Sequence, residues 1–198
     1  AWDDGVPRST RFGDIYFSPI DGLAETRAVF LDGCGLPDAW AGRAHFTVAE
    51  LGFGTGLNML ASLMAWQGSG QSGPLRYTSF EAYPMAPADI TRALSAFPEV
   101  AEMSAEFLAK WSAGQRHISL PGLEADIIIG DAAETLDQAF GLQDDVVHAC
   151  PPWRPNQVQG RSSRSRPTMT STTRNRPIQK VQYWGVMPEI TSCISLNT

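Results

Sequence analysis

One stretch restricts this chain more than any other: FTVAELGFGTGLNMLASLMAW, Phe46 to Trp66. It opens apolar and β-prone, with Phe46, Val48 and Leu51, then passes through glycines at alternate positions, Gly52, Gly54 and Gly56. Leu57, Leu60, Ala61 and Met64 follow at helical spacing on one face. Strand, glycine turn and helix form the opening unit of a nucleotide-binding α/β fold. Such a turn is too tight for a Cβ, and its backbone must approach a ligand closely. The helix start then offers unpaired N–H groups to whatever polar group sits in the turn.

The spacing bears on which ligand that is. A dinucleotide fingerprint wants glycine or alanine three residues after its second glycine, and counting from Gly52 and Gly54 that position is Leu57. This disfavours a dinucleotide oxidoreductase. The pattern is acid-x-Gly-x-Gly-x-Gly, with Glu50 ending the strand and Phe53 and Thr55 between the glycines. An acid there suits a ligand with positive charge near the turn. S-adenosylmethionine (SAM) carries an ammonium and a sulfonium, and it is the cofactor expected over residues 50–56. A second strand, LRYTSFE, ends at Glu81, 25 residues beyond Gly56. An acid at that distance and strand position binds the two hydroxyls of an adenosyl ribose; a solvated strand-end carboxylate is the plainer alternative. A third strand, Leu123–Ile129, leads into Gly130, Asp131 and Ala132. There Asp131 reads equally as a helix cap or as an acceptor for an adenine amino group.

The chain has 198 residues, one domain or slightly more, and 43% of them are hydrophobic, enough for a core. No run approaches the roughly 18 apolar residues of a membrane span, and the polar start AWDDGVPRS does not read as a signal peptide. Cys34, Cys150 and Cys193 suggest neither a metal site nor a disulfide framework, so a reducing cytoplasm is expected. Charge is unevenly spread. Residues 1–150 carry 8 Lys+Arg against 20 Asp+Glu, whereas 151–198 carry 7 against 1. The acidic body is a poor binder of nucleic acid by itself, because phosphate neutralisation dominates such affinity.

Three segments are expected. Residues 1–45 read as a cover or hairpin, with a strand at Ile15–Phe17 and a turn at Asp21–Gly22; GLAETRAVFLDG fits either strand or helix. Residues 46–149 read as the Rossmann-like unit, with helices over Ala88–Phe97, Glu99–Trp111 and Ala133–Phe140 and strands at His117–Leu120 and Asp144–Ala149. From Cys150 the prolines and the Arg/Ser/Thr load show neither strand nor helix period, so 150–198 read as a disordered tail.

FGDIYFS, DGLAETRAVFLDG, GLP, ELGFGTGLN, SFEAYP and GDA occur in that order. This set resembles the methyltransferase domain of the MnmC family, the bifunctional tRNA 5-methylaminomethyl-2-thiouridine biosynthesis proteins, over roughly Trp2 to Val147. The resemblance implies a Rossmann-like, SAM-dependent methyltransferase that methylates the aminomethyl nitrogen of a tRNA wobble uridine. It matches Glu50, Gly52, Gly54 and Gly56 to the first SAM motif, Glu81 to the ribose-binding acid, and Asp131 and Ala132 to the adenine side. Bifunctional family members carry an FAD-dependent oxidoreductase domain after this one, so such a domain or protein is an expected partner. No stretch here has the length of that domain, and no FAD is assigned.

After Asp145 the family continues with a run of the type DAWFLDGFAP, which holds the acid beside the reacting amine. This chain reads VVHACPPWRPNQ, and later strands of the sheet are not recognisable. No catalytic base is therefore named, and no metal. We hypothesise that the last 49 residues come from a shifted frame, leaving a cofactor-binding remnant as the alternative to an active enzyme. Gene sequencing across the codons for Val147 to Pro155 tests this; one intact frame shared by close relatives refutes it.

Overall fold

The computed structural model describes residues 1–43, 45–132 and 134–135, and the backbone of 147–150, 182–184 and 193–195. Its centre is β3 (Thr47–Leu51), with β4 (Leu75–Glu81) on one side and β7 (Val147–Cys150) on the other, both parallel to it. β6 (Leu123–Ile129) pairs in parallel with β4, and β5 (His117–Leu120) pairs antiparallel at the edge. Beyond β7 lie β9 (Cys193–Ser195) and β8 (Gln182–Trp184), giving the order β5-β6-β4-β3-β7-β9-β8. The parallel strands β6-β4-β3-β7 run outward from the first one in both directions, as in a doubly wound fold. The expected Rossmann-like α/β class is observed. Strands β8 and β9 come from the segment read as a tail; the rest of 151–198 lies outside the described residues, as do 136–146 and with them most of the expected helix 133–140.

Parallel neighbours require crossovers, and helices supply them. α2 (Leu57–Gly68) joins β3 to β4; α3 (Pro87–Leu94) and α4 (Ala101–Ser112) join β4 to β5. Pro87 starts α3, and the chain leaves the helix before Pro98, where a single 3₁₀ turn leads into α4. The predicted apolar face of α2 is too narrow. Met59 and Leu63 are as fully buried as Leu60, while Met64 is only partly covered. Two surfaces press on this helix, the sheet and the helical N-terminal segment.

That segment departs from expectation. A short hairpin does form, but earlier, between β1 (Trp2–Asp3) and β2 (Val6–Pro7), with Asp4 and Gly5 at φ 46° and 83° making its turn. Of the strand predicted at Ile15–Phe17, a single bridge remains, from Ile15 to Arg8. Asp21–Gly22 closes no hairpin. Asp21 instead caps α1 (Gly22–Glu25), its Oδ1 accepting the Ala24 N–H at 2.8 Å. The helix continues as a π turn over Thr26–Leu31, which settles the undecided GLAETRAVFLDG as helical. Trp40 then packs edge-on against Phe46 and Trp66, joining this cover to β3 and α2. One cysteine also corrects the sequence reading: Cys34 is disulfide-bonded, with its partner outside the described side chains. Spacing along a chain cannot reveal such a pair, because it depends on which loops the fold brings together.

Candidate functional site

Parallel strands end at one edge of their sheet, so the carboxyl ends of β3, β4 and β6 deliver their last residues to a common place. The Gly52 N–H donates to the Phe80 carbonyl at 2.8 Å, extending the ladder one residue past β3. The chain then bends through φ of 91° at Gly52, 57° at Gly54 and 78° at Gly56. These are left-handed conformations in which a side chain is strained. A Cβ on Gly54 would stand 3.2 Å from the Tyr16 ring, and one on Gly56 would stand 2.9 Å from Cζ of Phe53. The turn is thus held on one side by the cover segment and on the other by its own phenylalanine. Phe53 is 2% exposed, stacked on Trp111 at 5.2 Å and edge-on to Phe107 of α4.

Glu81, at the end of β4, is tied directly to this turn. Its Oε2 accepts the Gly54 N–H at 2.9 Å, and its Oε1 accepts the Tyr83 N–H at 2.8 Å. Each oxygen keeps acceptor capacity for a further partner. The Gly130 N–H donates to the Glu81 carbonyl at 3.0 Å, which brings the end of β6 beside it. The Asp131 carbonyl accepts from the N–H groups of Glu134 and Thr135, both at 3.0 Å, as the chain turns to helix.

Glu50 lies one layer down. It is fully buried, with Oε1 accepting from the Asn58 amide at 2.8 Å and Oε2 from the Ser79 hydroxyl at 2.9 Å. The Asn58 Oδ1 in turn accepts the Thr26 hydroxyl at 3.1 Å, so a polar chain runs from the cover segment through α2 to the floor of the sheet. Loss of hydration raises the Glu50 carboxyl to a pKa of about 7. Its hydrogen bonds oppose that rise, and the nearby Glu81 charge adds to it. The buried Tyr77 hydroxyl faces Glu50 without closing a hydrogen bond of good geometry, and burial pushes its pKa well up.

Above these groups is a cavity of about 490 Å³, the size range of small-ligand sites. Gly52, Phe53, Gly54, Thr55, Glu81, Asp131 and Ala132 line it, whereas Glu50 and Gly56 stand behind the wall. Phe53 contributes backbone, because its ring points into the core. The opposite wall is the cover segment, residues 9–17 and 25–30. Among its charged groups carboxylates prevail, with Asp14, Glu25, Glu81 and Asp131 against Arg11 as the one cation of the lining among the described residues. An electronegative cavity of this kind favours a positively charged ligand. Burial raises the pKa of Glu25, and that of Tyr16 rises from burial and from the charges of Glu81 and Asp89. Among the described residues no group of His, Cys, Asp and Glu could hold a metal ion.

The sequence did not single out Asn58, Tyr16, Arg11, Tyr83 or Glu25. Asn58 left a trace, as a polar residue one position into an otherwise apolar helix start. The others come from segments whose position over the site only the fold decides.

No protein-family model matches the chain. It is 48% identical over 153 residues to the tRNA 5-methylaminomethyl-2-thiouridine biosynthesis bifunctional protein MnmC of Caulobacter sp. strain K31, covering 72% of this chain and 26% of that protein. Against MnmC of Caulobacter vibrioides it is 45% identical over 148 residues, with 72% and 25% covered; against that of Thiobacillus denitrificans, 42% over 141 residues, with 68% and 23% covered. The chain thus spans about a quarter of the length of the curated relatives it matches. Among solved structures, MnmC2 from Aquifex aeolicus is similar at a TM-score of 0.55 and 18% identity, over 72% of this chain and 44% of that one. At that identity the likeness speaks to the fold.

Proposed function

This chain is a homologue of the MnmC tRNA 5-methylaminomethyl-2-thiouridine biosynthesis bifunctional proteins, and on that footing we propose that it is a SAM-dependent N-methyltransferase acting on the aminomethyl group of a tRNA wobble uridine. The observation that carries the reading is the bond between Glu81 and the Gly54 N–H, which sets the strand-end acid and the glycine turn on one acid-lined cavity. Had the two lain apart, the likeness of motifs would mean little.

The residues fit the cofactor. Glu81 has acceptor capacity left for ribose hydroxyls after binding two N–H groups. The Gly52–Gly56 turn lets a ligand reach the backbone, and Asp131 and Ala132, which line the same cavity past the end of β6, are assigned to the adenine side. Glu50 acts from behind, by fixing the Asn58 amide and, once a cationic ligand displaces its proton, by placing negative charge beneath that ligand. SAM supplies an electrophilic methyl group, and the protein's work is to align a nucleophile with it. The target amine must reach the cavity without its proton, because an ammonium near pKa ~10 has no lone pair to attack with. Tyr16 is held as a neutral phenol and is not suited to accept that proton. We assign no base; the family's acid motif is missing from the sequence after Val147.

On this reading tRNA is the substrate, and an FAD-dependent oxidoreductase, as a domain or separate protein, is the pathway partner. Among the described residues no helix is long and apolar enough to cross a membrane. Titration calorimetry with SAM, paired with methyl transfer to under-modified tRNA, tests the proposal. Both signals are expected. Binding without transfer favours the remnant reading, which the departure after Val147 motivates, and failure to bind SAM refutes the assignment.

A further inference from the structure

The rim of the cavity carries a cluster that the cofactor reading does not use. Phe12 is 65% exposed and Tyr83 49%, and their rings lie 5.9 Å apart at 57°. The Arg11 guanidinium sits 4.2 Å from the centre of the Tyr83 ring and 5.9 Å from that of Phe12. All three residues line the cavity. Two aromatic rings half in water give up burial they could have had, and exposed apolar groups beside a cavity mark binding surfaces. Neither ring hangs on a loose tether. The Phe12 N–H donates to the Ser9 hydroxyl at 3.2 Å, Arg8 Nη1 donates to the Gly13 carbonyl at 2.8 Å, and the Tyr83 N–H is held by Glu81.

We infer that Phe12 and Tyr83, with Arg11 beside them, form the seat for the unpaired RNA base whose substituent enters the cavity. This rests on the function proposed above and adds the means by which the substrate is held. Planar rings and a guanidinium are the surfaces on which splayed-out bases stack. Arg11 is also the cation placed to meet an adjoining phosphate. The other charged residues of the lining, Asp14, Glu25, Glu81 and Asp131, are acids that repel a phosphate backbone, so stacking must supply the local affinity.

The test uses the full 198-residue chain and a short RNA stem-loop with an unpaired 5-aminomethyluridine in its loop. RNA affinity is read by fluorescence anisotropy and SAM affinity by calorimetry. Phe12→Ala/Tyr83→Ala is expected to weaken RNA binding by about tenfold or more, the usual worth of a stacked base, and to leave SAM affinity within about twofold. Phe12→Leu/Tyr83→Leu keeps apolar bulk, guards against loss of folding, and is expected to behave like the alanine pair. Phe12→Tyr keeps a ring face and is expected to retain RNA binding. Unchanged RNA affinity in the leucine pair overturns the proposal, and so does a parallel loss of SAM affinity, which would give the rings to the cofactor. SAM binding by the unaltered chain without RNA binding overturns this inference alone. Absence of both overturns the underlying function as well.

Discussion

Glu50 is a carboxyl group sealed from water, and its protonation is coupled to everything around it. In the unfolded chain it ionises near 4.5; in the fold its pKa is about 7. The folded state therefore holds this proton more tightly, and its contribution to stability is complete below pH 4.5 and is lost as pH rises toward 7. A shift of that size corresponds to roughly 3 kcal/mol. Glu50→Gln is expected to flatten the fall in Tm between pH 5 and 7.5 that the unaltered chain shows; equal slopes in the two proteins would refute the assignment. The same group predicts a ligand effect. A cation above Glu50 favours its ionised form, so SAM affinity is expected to rise with pH across neutrality, with a released proton visible as a buffer-dependent binding enthalpy. Glu81 makes the contrasting prediction. Glu81→Ala removes the acceptor for two backbone N–H groups, and at least a tenfold loss of SAM affinity is expected by calorimetry. The sequence pointed to both acids, with different parts of the ligand for each, but not to which of them reaches the cavity. That Glu81 faces the cavity while Glu50 lies beneath it depends on strand register and pleat, which a strand-ending acid does not declare.

Among the elements, the glycine turn is the one that single atoms can break. Gly54→Ala puts a methyl against the Tyr16 ring in a left-handed backbone, at a cost of roughly 1–2 kcal/mol, and narrows the cavity where the cover segment meets it. Gly56→Ala presses on the Phe53 ring, which is stacked on Trp111 and has nowhere to go. A larger loss, roughly 2–4 kcal/mol, is expected in a denaturant melt. If the two variants are equally stable, the turn is not wedged as described. Elements with a clear period were legible in the sequence, as with β4, β6 and α4. The N-terminal segment was not, because Asp21–Gly22 can serve a hairpin or a helix cap with equal local chemistry. The choice goes to the cap, and the helical segment beyond it packs against α2. The breadth of the buried face on α2 was hidden for the same reason, since its second contact comes from the N-terminal helical segment.

At the scale of the molecule, the parallel centre of the sheet and its common edge followed from the order of strand, glycine turn and helix. The disulfide at Cys34 did not, and it carries its own prediction. With three cysteines in the chain, one is expected to react with iodoacetamide in denaturant before reduction and three after; three at the outset would mean that the bond does not form. The cover wall of the cavity is built from residues 9–17 and 25–30, ahead of every strand of the main sheet, and the opposite side ends at Ala132. The front of the chamber therefore leaves the ribosome long before its back. A gene trimmed to begin at Phe46 would yield an open trench where a box should be.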